Sequence, residues 1–414
     1  MLPAEIQYVV GIDSAKRFHV VCALDARTGK MHLRPRSVAA TAAGYADVRA
    51  LLRPWSEPGA ILRGLEATGC LWEPLYEDLT QAGYTVLVLN PRQTVAWAAG
   101  LGLRAKTDGI DAQTMARGLL AGYAQGSTVP SETSQEVRAL TRARRDLVQS
   151  QTAAKQRLRD ELVVLFPELP DHTPEHRALM DPAVLRLVEA YGSAQAFAQA
   201  APDELAALLK EVSAGVWTRE QADALQRVAR QSAARSRAEA ARAVVVRTMV
   251  RPLLDLYARL AELEEAIAAV LAHAEDSQRL QTLPGVGPVI AATVRAALGD
   301  VTRFQGVDQV IAYAGLDPRT HQSGAFVGQK HLSKRGPGAW RHALYLATLN
   351  AVRNRPEWRD RYQRLLDRGR STKEALTILS RAYLKVVYHV LRTGVSYDPL
   401  ALTAPKPCPA RGRA

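Results

Sequence analysis

Four acidic residues occupy positions that are typical of a nuclease-like metal site. Asp13 ends a short apolar run in the segment GIDS, and Glu66 ends a later one in GLEA. Asp108 and Asp111 lie in KTDGIDA, at a spacing that puts both side chains on one face of a helix. Hard cations such as Mg²⁺ prefer oxygen ligands, and a pair of ions needs several converging carboxylates. Taken singly, Asp13 and Glu66 could be turn residues and Asp108 a helix N-cap.

The elements that must position these carboxylates form an α/β pattern. Apolar runs predict three adjacent strands, then alternating helices and strands, and two further helices near 91–100 and 111–122. Such an order is typical of a mixed sheet covered by helices. The strands are expected at 8–12, 19–24, 31–38, 60–65 and 85–89, and the earlier helices at 41–52 and 71–82. The sequence therefore predicts an α/β domain over residues 1–128.

A second candidate site begins at the glycines of the segment LPGVGPVI. Gly285 and Gly287 let the backbone turn sharply and present N–H groups at the start of the next helix, an arrangement that suits a phosphate. This is the signature of a helix-hairpin-helix element, which contacts DNA without reading its sequence. The alternative is a plain turn between packed helices.

Further along the chain, a serine lies in a polar loop among basic residues. Ser323 precedes Gly324, so a substrate backbone could approach closely, as attack on a phosphodiester requires. A Ser-Gly pair is also a common turn, and Ser333 in LSKRG is either a rival nucleophile or a cap. Four basic residues are predicted to contact nucleic acid in this part of the chain, although such a run can equally be a solvated surface: Lys330, Lys334, Arg335 and Arg341.

Long helices dominate the middle of the chain, which we assign to 129–275. Apolar residues there recur at steps of three and four, which is the pattern of a coiled-coil seam. The two seams could pair within one chain or with another copy. An inserted helical segment at 166–235 shows no pattern that suggests chemistry. A mainly helical C-terminal domain is predicted at 276–400, and a Pro-rich, basic tail at 401–414 is expected to be disordered.

Composition limits the partners. The 414 residues include 54 Lys and Arg against 41 Asp and Glu, a net charge of +13 that favours a polyanionic partner, nucleic acid first and an anionic membrane surface second. The 3 cysteines are too few and too scattered for a disulfide framework or a zinc site. No signal peptide is expected at 1–7, and no apolar run approaches the roughly 18 residues that would span a bilayer. We therefore expect a cytoplasmic protein.

Seven motifs in a fixed order resemble one known family. GIDSAK, GLEATG, KTDGIDA, LPGVGPVIAATV, AYAGLDP, QSG and LSKRG are similar to segments of the DEDD transposases of the insertion-sequence one-ten family. That family includes the Piv-type DNA invertases and the bridge-RNA-guided recombinases. The resemblance covers about residues 8–125 and 277–398. The chain departs from the family at Trp340-Arg341, where a Leu-Arg pair is usual, and this affects local packing.

The resemblance implies a fold and a set of site residues. The N-terminal domain would be RuvC-like (RNase H-type), with Asp13, Glu66, Asp108 and Asp111 holding two Mg²⁺ ions, for which Mn²⁺ could substitute. The C-terminal transposase domain would carry the nucleophile, which falls on Ser323. A transient phosphoserine link to a DNA end would then form during strand exchange.

The resemblance also implies partners. They are double-stranded donor and target DNA and a non-coding guide RNA, with base pairing providing the sequence choice, as in other guided systems. In the family, the carboxylates and the serine of one site come from different protomers, so a homodimer or a tetramer (a dimer of dimers) is expected. The setting would be the bacterial cytoplasm, on the nucleoid when the protein is active.

Two other functions compete with a site-specific transposase. A RuvC-like nuclease acting on Holliday junctions or other structures would hydrolyse DNA with the carboxylates alone, and Ser323 would be structural. A non-catalytic nucleic-acid-binding protein would use its carboxylates only to cap helices. Replacing Ser323 by Ala separates the first alternative from the transposase, and replacing Asp108 by Asn separates the second.

Overall fold

The computed structural model describes residues 5–55, 60–67, 69–102, 107–123, 126–127, 129, 131–319, 322–323, 326–327 and 331–399. The tail at 401–414, for which disorder is predicted, lies outside these ranges. The chain divides into two compact units, Met1–Val129 and Pro130–Ala414.

A mixed sheet forms the centre of the N-terminal unit, in the strand order β3-β2-β1-β4-β5-β6. β1 pairs antiparallel with β2 and parallel with β4, and β4 pairs parallel with β5. The strands are β1 (Tyr8–Ser14), β2 (Phe18–Asp25), β3 (Met31–Ala39), β4 (Ile61–Glu66), β5 (Val86–Leu89) and β6 (Gly126–Ser127). The helices are α1 (Ala42–Leu52), α2 (Glu73–Gln81), α3 (Pro91–Gly100) and α4 (Asp108–Leu120). The predicted α/β domain with a mixed sheet is confirmed.

One predicted boundary is wrong in a way that matters for the site. The helix predicted at 111–122 begins at Asp108 instead, because the side chain of Thr107 accepts a hydrogen bond from the Ile110 amide at 3.3 Å and caps the helix. Asp108 is therefore the first helical residue, and the alternative that it is the N-cap is also wrong. Nor are Asp13 and Glu66 turn residues, since both lie within strands.

Helix α4 lies directly against the central strand because of one glycine. A Cβ atom on Gly11 of β1 would lie only 2.0 Å from the carbonyl oxygen of Ala112 on α4. Real Cβ atoms do not approach backbone so closely, so any side chain at residue 11 would push the helix away. The absence of this side chain brings the first turn of α4 close to the end of β1.

The C-terminal unit is mainly helical. Its helices are α5 (Glu132–Leu165), α6 (Pro182–Tyr191), α7 (Ala194–Gln199), α8 (Pro202–Val212), α9 (Arg219–Arg230), α10 (Glu239–Ala272), α11 (Glu275–Gln281), α12 (Pro288–Leu298), α13 (Val307–Ala314), α14 (Gly338–Asn354), α15 (Pro356–Asp367) and α16 (Thr372–Thr393). Two short strand pairs accompany them: β7 (Pro318–Arg319) with β10 (His331–Leu332), and β8 (Gln322–Ser323) with β9 (Phe326–Val327).

The two 34-residue helices α5 and α10 pair antiparallel within the chain. Arg144 of α5 binds Glu264 of α10 at 2.5 Å, and Glu161 binds Arg242 at 2.9 Å, so the helix directions are opposite. Of the two pairings that the heptads allow, the structure has the one within the chain. The seam residues of α10 are all buried or half-buried: Val246, Met249, Leu253, Leu256, Leu260, Leu263, Ile267 and Val270.

Two hydrophobic cores hold the C-terminal unit together. The first lies under the inserted segment and contains Phe166, Phe197 and Trp217. The second contains Trp340 and Tyr383 with residues of α5 and α10, so the helical pair and the C-terminal helices share a core. None of the helices in the described ranges combines the length and the apolar composition that crossing a bilayer requires.

Candidate functional site

Two of the predicted carboxylates lie at one edge of the sheet. β1 and β4 run parallel with Ile12 opposite Leu65, so Asp13 and Glu66 follow at adjacent positions near the carboxyl ends of their strands. Both residues are half-buried. Parallel neighbours in a sheet bring the residues at their carboxyl ends together, which is why strand ends so often carry ligands.

The other two carboxylates lie on the first turn of α4. Asp111 is half-buried and Asp108 is exposed. The close approach of Ala112 to Gly11 places this turn beside the end of β1. We call Asp13, Glu66, Asp108 and Asp111 the carboxylate cluster.

The electrostatics of Asp13 show that the four groups act on one another. Burial raises the pKa of Asp13 to about 6, and the negative charges of Asp111, Asp108 and Glu66 contribute to that rise. A nearby like charge disfavours the ionised form of a carboxyl, and the effect falls off with distance. The structure therefore brings the four predicted residues into one electrostatic neighbourhood.

The donor chemistry of the cluster fits a hard divalent cation. As the side chains stand, no three His, Cys, Asp or Glu residues in the described ranges converge closely enough to hold one ion. However, the cluster offers carboxylate oxygens from both a rigid sheet edge and a helix turn, which are the ligands that Mg²⁺ prefers. A bound cation would also relieve the repulsion that raises the pKa of Asp13.

Thr94, which the sequence analysis did not identify, donates a hydrogen bond to Glu66 of the carboxylate cluster. The hydroxyl of Thr94 on α3 lies 3.1 Å from Glu66 Oε2 and 3.0 Å from the Pro91 carbonyl oxygen, so its proton can be donated to either. Thr94 is 7% exposed. Its position in the chain could have pointed to this role. Helix α3 follows β5, which is the parallel neighbour of β4, so α3 begins at the sheet edge where Glu66 lies.

Replacing Thr94 by Val should therefore weaken the site while preserving the packing. Valine keeps the shape of threonine but removes the hydroxyl that donates to Glu66, and changes to residues that orient metal ligands typically cost about 10–100-fold in affinity or activity. For the Mg²⁺-dependent DNA cleavage that the family resemblance implies, the Mg²⁺ concentration for half-maximal cleavage should rise by about tenfold. Thr94→Ser, which keeps the hydroxyl, should behave like wild type. Equal behaviour of the two variants would exclude a positioning role.

The predicted nucleophile is described only in its backbone. Ser323 lies in the two-residue strand β8, where it pairs with Phe326 of β9, so the expectation of a loop at this residue is wrong. Its side chain lies outside the described part of the structure, as do Gly324 and Lys330.

The rival serine has a structural partner. The Ser333 hydroxyl donates to the Asp317 carboxylate, and its amide donates to the Asp317 carbonyl oxygen at 2.9 Å. Arg341 also serves the fold, because its guanidinium donates to the Gly336 carbonyl oxygen at 2.5 Å and to that of Ala314 at 3.2 Å. These bonds fasten the segment LSKRG against the end of α13.

The two remaining basic residues of this segment are exposed. Lys334 has a φ of +50°, a conformation that is uncommon for a residue with a side chain, and its amide donates to the Gly315 carbonyl oxygen at 3.1 Å. Arg335 is likewise exposed. Contact of both residues with nucleic acid stays a prediction.

The two hairpin glycines have different roles. Gly285 has a φ of +82°, and a Cβ there would lie 2.7 Å from the Ala347 carbonyl oxygen on α14, so packing alone requires glycine. Tyr383 secures the same turn by donating to the Pro284 carbonyl oxygen at 2.8 Å. Gly287 borders open space at the start of α12, which has no side-chain cap. Contact of these glycines with a phosphate therefore stays a prediction. The surroundings of Gly287 suit such a contact better than those of Gly285.

Two family models match the chain. Residues 10–167 match a model described as a transposase, of the DEDD type of IS110, and this match includes the whole carboxylate cluster. Residues 277–363 match a model described as a transposase of the IS116/IS110/IS902 family, and this match includes both hairpin glycines and both serines.

Individual relatives give the same picture. An uncharacterised 43.6 kDa protein of insertion element IS110 from Streptomyces coelicolor is 28% identical over 315 residues, which is 73% of this chain and 77% of the relative. An uncharacterised 44.8 kDa protein of insertion element IS116 from Streptomyces clavuligerus is 24% identical over 94% of this chain and 96% of the relative. A pilin gene-inverting protein of Moraxella bovis is 30% identical over 29% of this chain and 38% of the relative.

Proposed function

The chain belongs to the IS110 family of transposases, and from that premise we propose that it cuts and exchanges DNA strands at the carboxylate cluster in a Mg²⁺-dependent reaction. The observation that carries this proposal is the placement of Asp13 and Glu66 at adjacent carboxyl ends of the parallel strands β1 and β4, with the first turn of α4 packed against β1 at Gly11. Burial and the negative charges of Asp111, Asp108 and Glu66 raise the pKa of Asp13, and a ligand of opposite charge would relieve that repulsion.

Asp13, Glu66, Asp108 and Asp111 would hold the metal. When bound, Mg²⁺ would supply the positive charge that polarises a scissile phosphate and stabilises the leaving oxygen. The protein contributes the orientation. β1 and β4 hold Asp13 and Glu66 rigidly, Thr94 restrains Glu66, and the Thr107 cap fixes the turn that carries Asp108 and Asp111. The strand order, with three antiparallel strands followed by parallel β4 and β5, is compatible with a RuvC-like (RNase H-type) fold.

We further propose that Ser323 is the nucleophile. Its Oγ would attack the phosphorus of a DNA strand, forming an Oγ–P bond while the P–O bond to the leaving deoxyribose breaks. The serine proton would end on the leaving oxygen as a free hydroxyl. One phosphodiester replaces another, so the bond energy is retained for rejoining and no further reactant is needed. The assignment rests on the family resemblance, which places the nucleophile on Ser323, whereas the hydroxyl of the rival Ser333 donates to the Asp317 carboxylate.

The proposed partners are duplex donor and target DNA and a non-coding guide RNA. The active species would be a homodimer or a tetramer of this chain. A net charge of +13 supports a polyanionic partner. The pilin gene-inverting relative supports recombination rather than simple cleavage, since its name describes inversion of a pilin gene. We expect the guide RNA to co-purify with the full chain.

The test uses the full chain with any co-purifying RNA and end-labelled donor and target DNA. Reactions with Mg²⁺ and with EDTA are separated on a denaturing gel. We expect Mg²⁺-dependent recombinant products together with a protein–DNA adduct that survives denaturation. Cleavage without any adduct would instead indicate a structure-specific nuclease that acts by hydrolysis. Binding without cleavage under either condition would indicate a non-catalytic nucleic-acid-binding protein.

A further inference from the structure

The C-terminal unit contains a basic groove whose lining includes none of the candidate site residues described above. It has a volume of about 230 Å³ and lies where α5, α12 and the start of α14 meet. Arg138, Arg142 and Arg145 line it from α5, Thr293 from α12, and Trp340 from α14. None of the lining residues is acidic. The volume is below the roughly 300–1,000 Å³ of typical small-molecule pockets, so the groove suits one small charged group.

The arginines of the groove are held near one another despite their charges. Arg138 is fixed by a hydrogen bond from its Nε to the Ala296 carbonyl oxygen at 2.5 Å. Burial lowers the pKa of Arg138, and the positive charges of Arg142 and Arg303 add to the lowering. Arg145 is partly compensated by Asp146 at 3.0 Å, whereas Arg142 has no hydrogen bond or ion pair in the described part of the chain. An anion between Arg138 and Arg142 would relieve their repulsion.

The start of α14 adds donors to the same groove. Pro337, the N-cap of this 17-residue helix, and Trp340 on its first turn both line the groove, and the described residues provide no side-chain cap. The first amides of a helix have no partner within the helix and favour an anion. Independently, Trp340 is fully buried and its indole N–H has no acceptor in the described residues, an arrangement that normally costs stability.

We propose that this groove binds a backbone phosphate of duplex DNA. Arginine guanidinium groups and a helix N-terminus are together suited to phosphate. The assignment of the anion to DNA rests on the proposed function. The expectation that the ligand is an anion rests only on the residues of the groove. The hydroxyls of Thr141 and Thr293 already donate to the carbonyls of Val137 and Val289, so the donors would be the arginines and the first amides of α14.

The test is duplex binding by the full chain, measured by fluorescence anisotropy in EDTA so that no strand is cut. Arg142→Gln should weaken binding by about tenfold near 0.15 M salt and lower the slope of log affinity against log salt by about 0.9, the value for one phosphate contact. The matched control is Arg157→Gln, which removes an exposed arginine of the same helix outside the groove; its effect should stay below about twofold.

The outcomes separate this proposal from the function on which it rests. Wild-type binding with equal affinities for Arg142→Gln and Arg157→Gln would overturn the groove alone. Failure of the wild type to bind duplex would overturn the proposed function and the DNA assignment together. A single-stranded RNA of the same sequence is measured in parallel, and a loss confined to RNA would overturn the DNA assignment. Because Arg142 is exposed, its replacement should not disturb folding, and circular dichroism checks this.

Discussion

Replacing Asp108 by Asn is expected to slow Mg²⁺-dependent DNA cleavage on the order of a thousandfold or more while leaving the fold intact. Asparagine has nearly the same shape, but it is neutral and cannot replace a carboxylate ligand. Asp108 is exposed and Thr107, not Asp108, caps α4, so little stability should be lost. Single-turnover cleavage of end-labelled DNA measures the rate, and thermal unfolding measures the stability.

The matched control for Asp108 is Asp47→Asn. Asp47 is an exposed carboxylate on α1, outside the cluster, and its replacement makes the same change in charge. Asp47→Asn should cleave at the wild-type rate. If Asp108→Asn also cleaved within about tenfold of wild type, the residue would contribute only the modest helix-dipole interaction of an acidic group on a first turn.

Replacing Ser323 by Ala should eliminate the covalent protein–DNA adduct and strand exchange. Alanine has no oxygen to form the Oγ–P bond, and removal of a nucleophile costs on the order of 10⁴-fold or more in rate. Ser333→Ala should retain the adduct within a few fold, because that hydroxyl is bonded to Asp317 in the fold. Mass spectrometry of protease-digested adduct should locate the nucleotide on the peptide that contains Ser323.

Two results would contradict the serine assignment in different ways. An adduct that persists in Ser323→Ala and is lost in Ser333→Ala would transfer the role to Ser333. Cleavage that is unaffected by either change, with no adduct in wild type, would mean that water is the nucleophile. The carboxylate cluster would keep its proposed role in both cases.

The sequence was informative wherever local pattern determines position. Asp13 and Glu66 could be placed at strand ends because each ends an apolar run, whereas the parallel pairing of β1 with β4 that puts them at one sheet edge is seen only in the structure. The 3-residue spacing of Asp108 and Asp111 put them on one helical face. The start of α4 was misplaced because Thr107 caps a helix whose apolar pattern becomes clear only later.

Features that depend on tertiary contact could not be predicted. Thr94 has no sequence signal for its bond to Glu66, which exists only because α3 begins beside β4. The heptads of α5 and α10 fit pairing within or between chains equally well, and the pair within the chain is recognisable only from its cross-helix ion pairs. Gly285 and Gly287 look alike in sequence, yet the first is required by a close contact with α14. The basic groove likewise joins residues of α5 to residues about 150 to 200 positions later in the chain.

The central claim, that the carboxylate cluster binds a divalent cation, is tested most directly by isothermal titration calorimetry of the full chain with Mg²⁺, with Mn²⁺ as a second probe. We expect saturable binding to wild type that is lost or greatly weakened in Asp13→Asn, because an amide cannot replace the carboxylate oxygens that Asp13 would offer at the end of β1. Binding should persist in Asp47→Asn. Absence of binding in wild type, or equal binding in wild type and Asp13→Asn, would contradict the account.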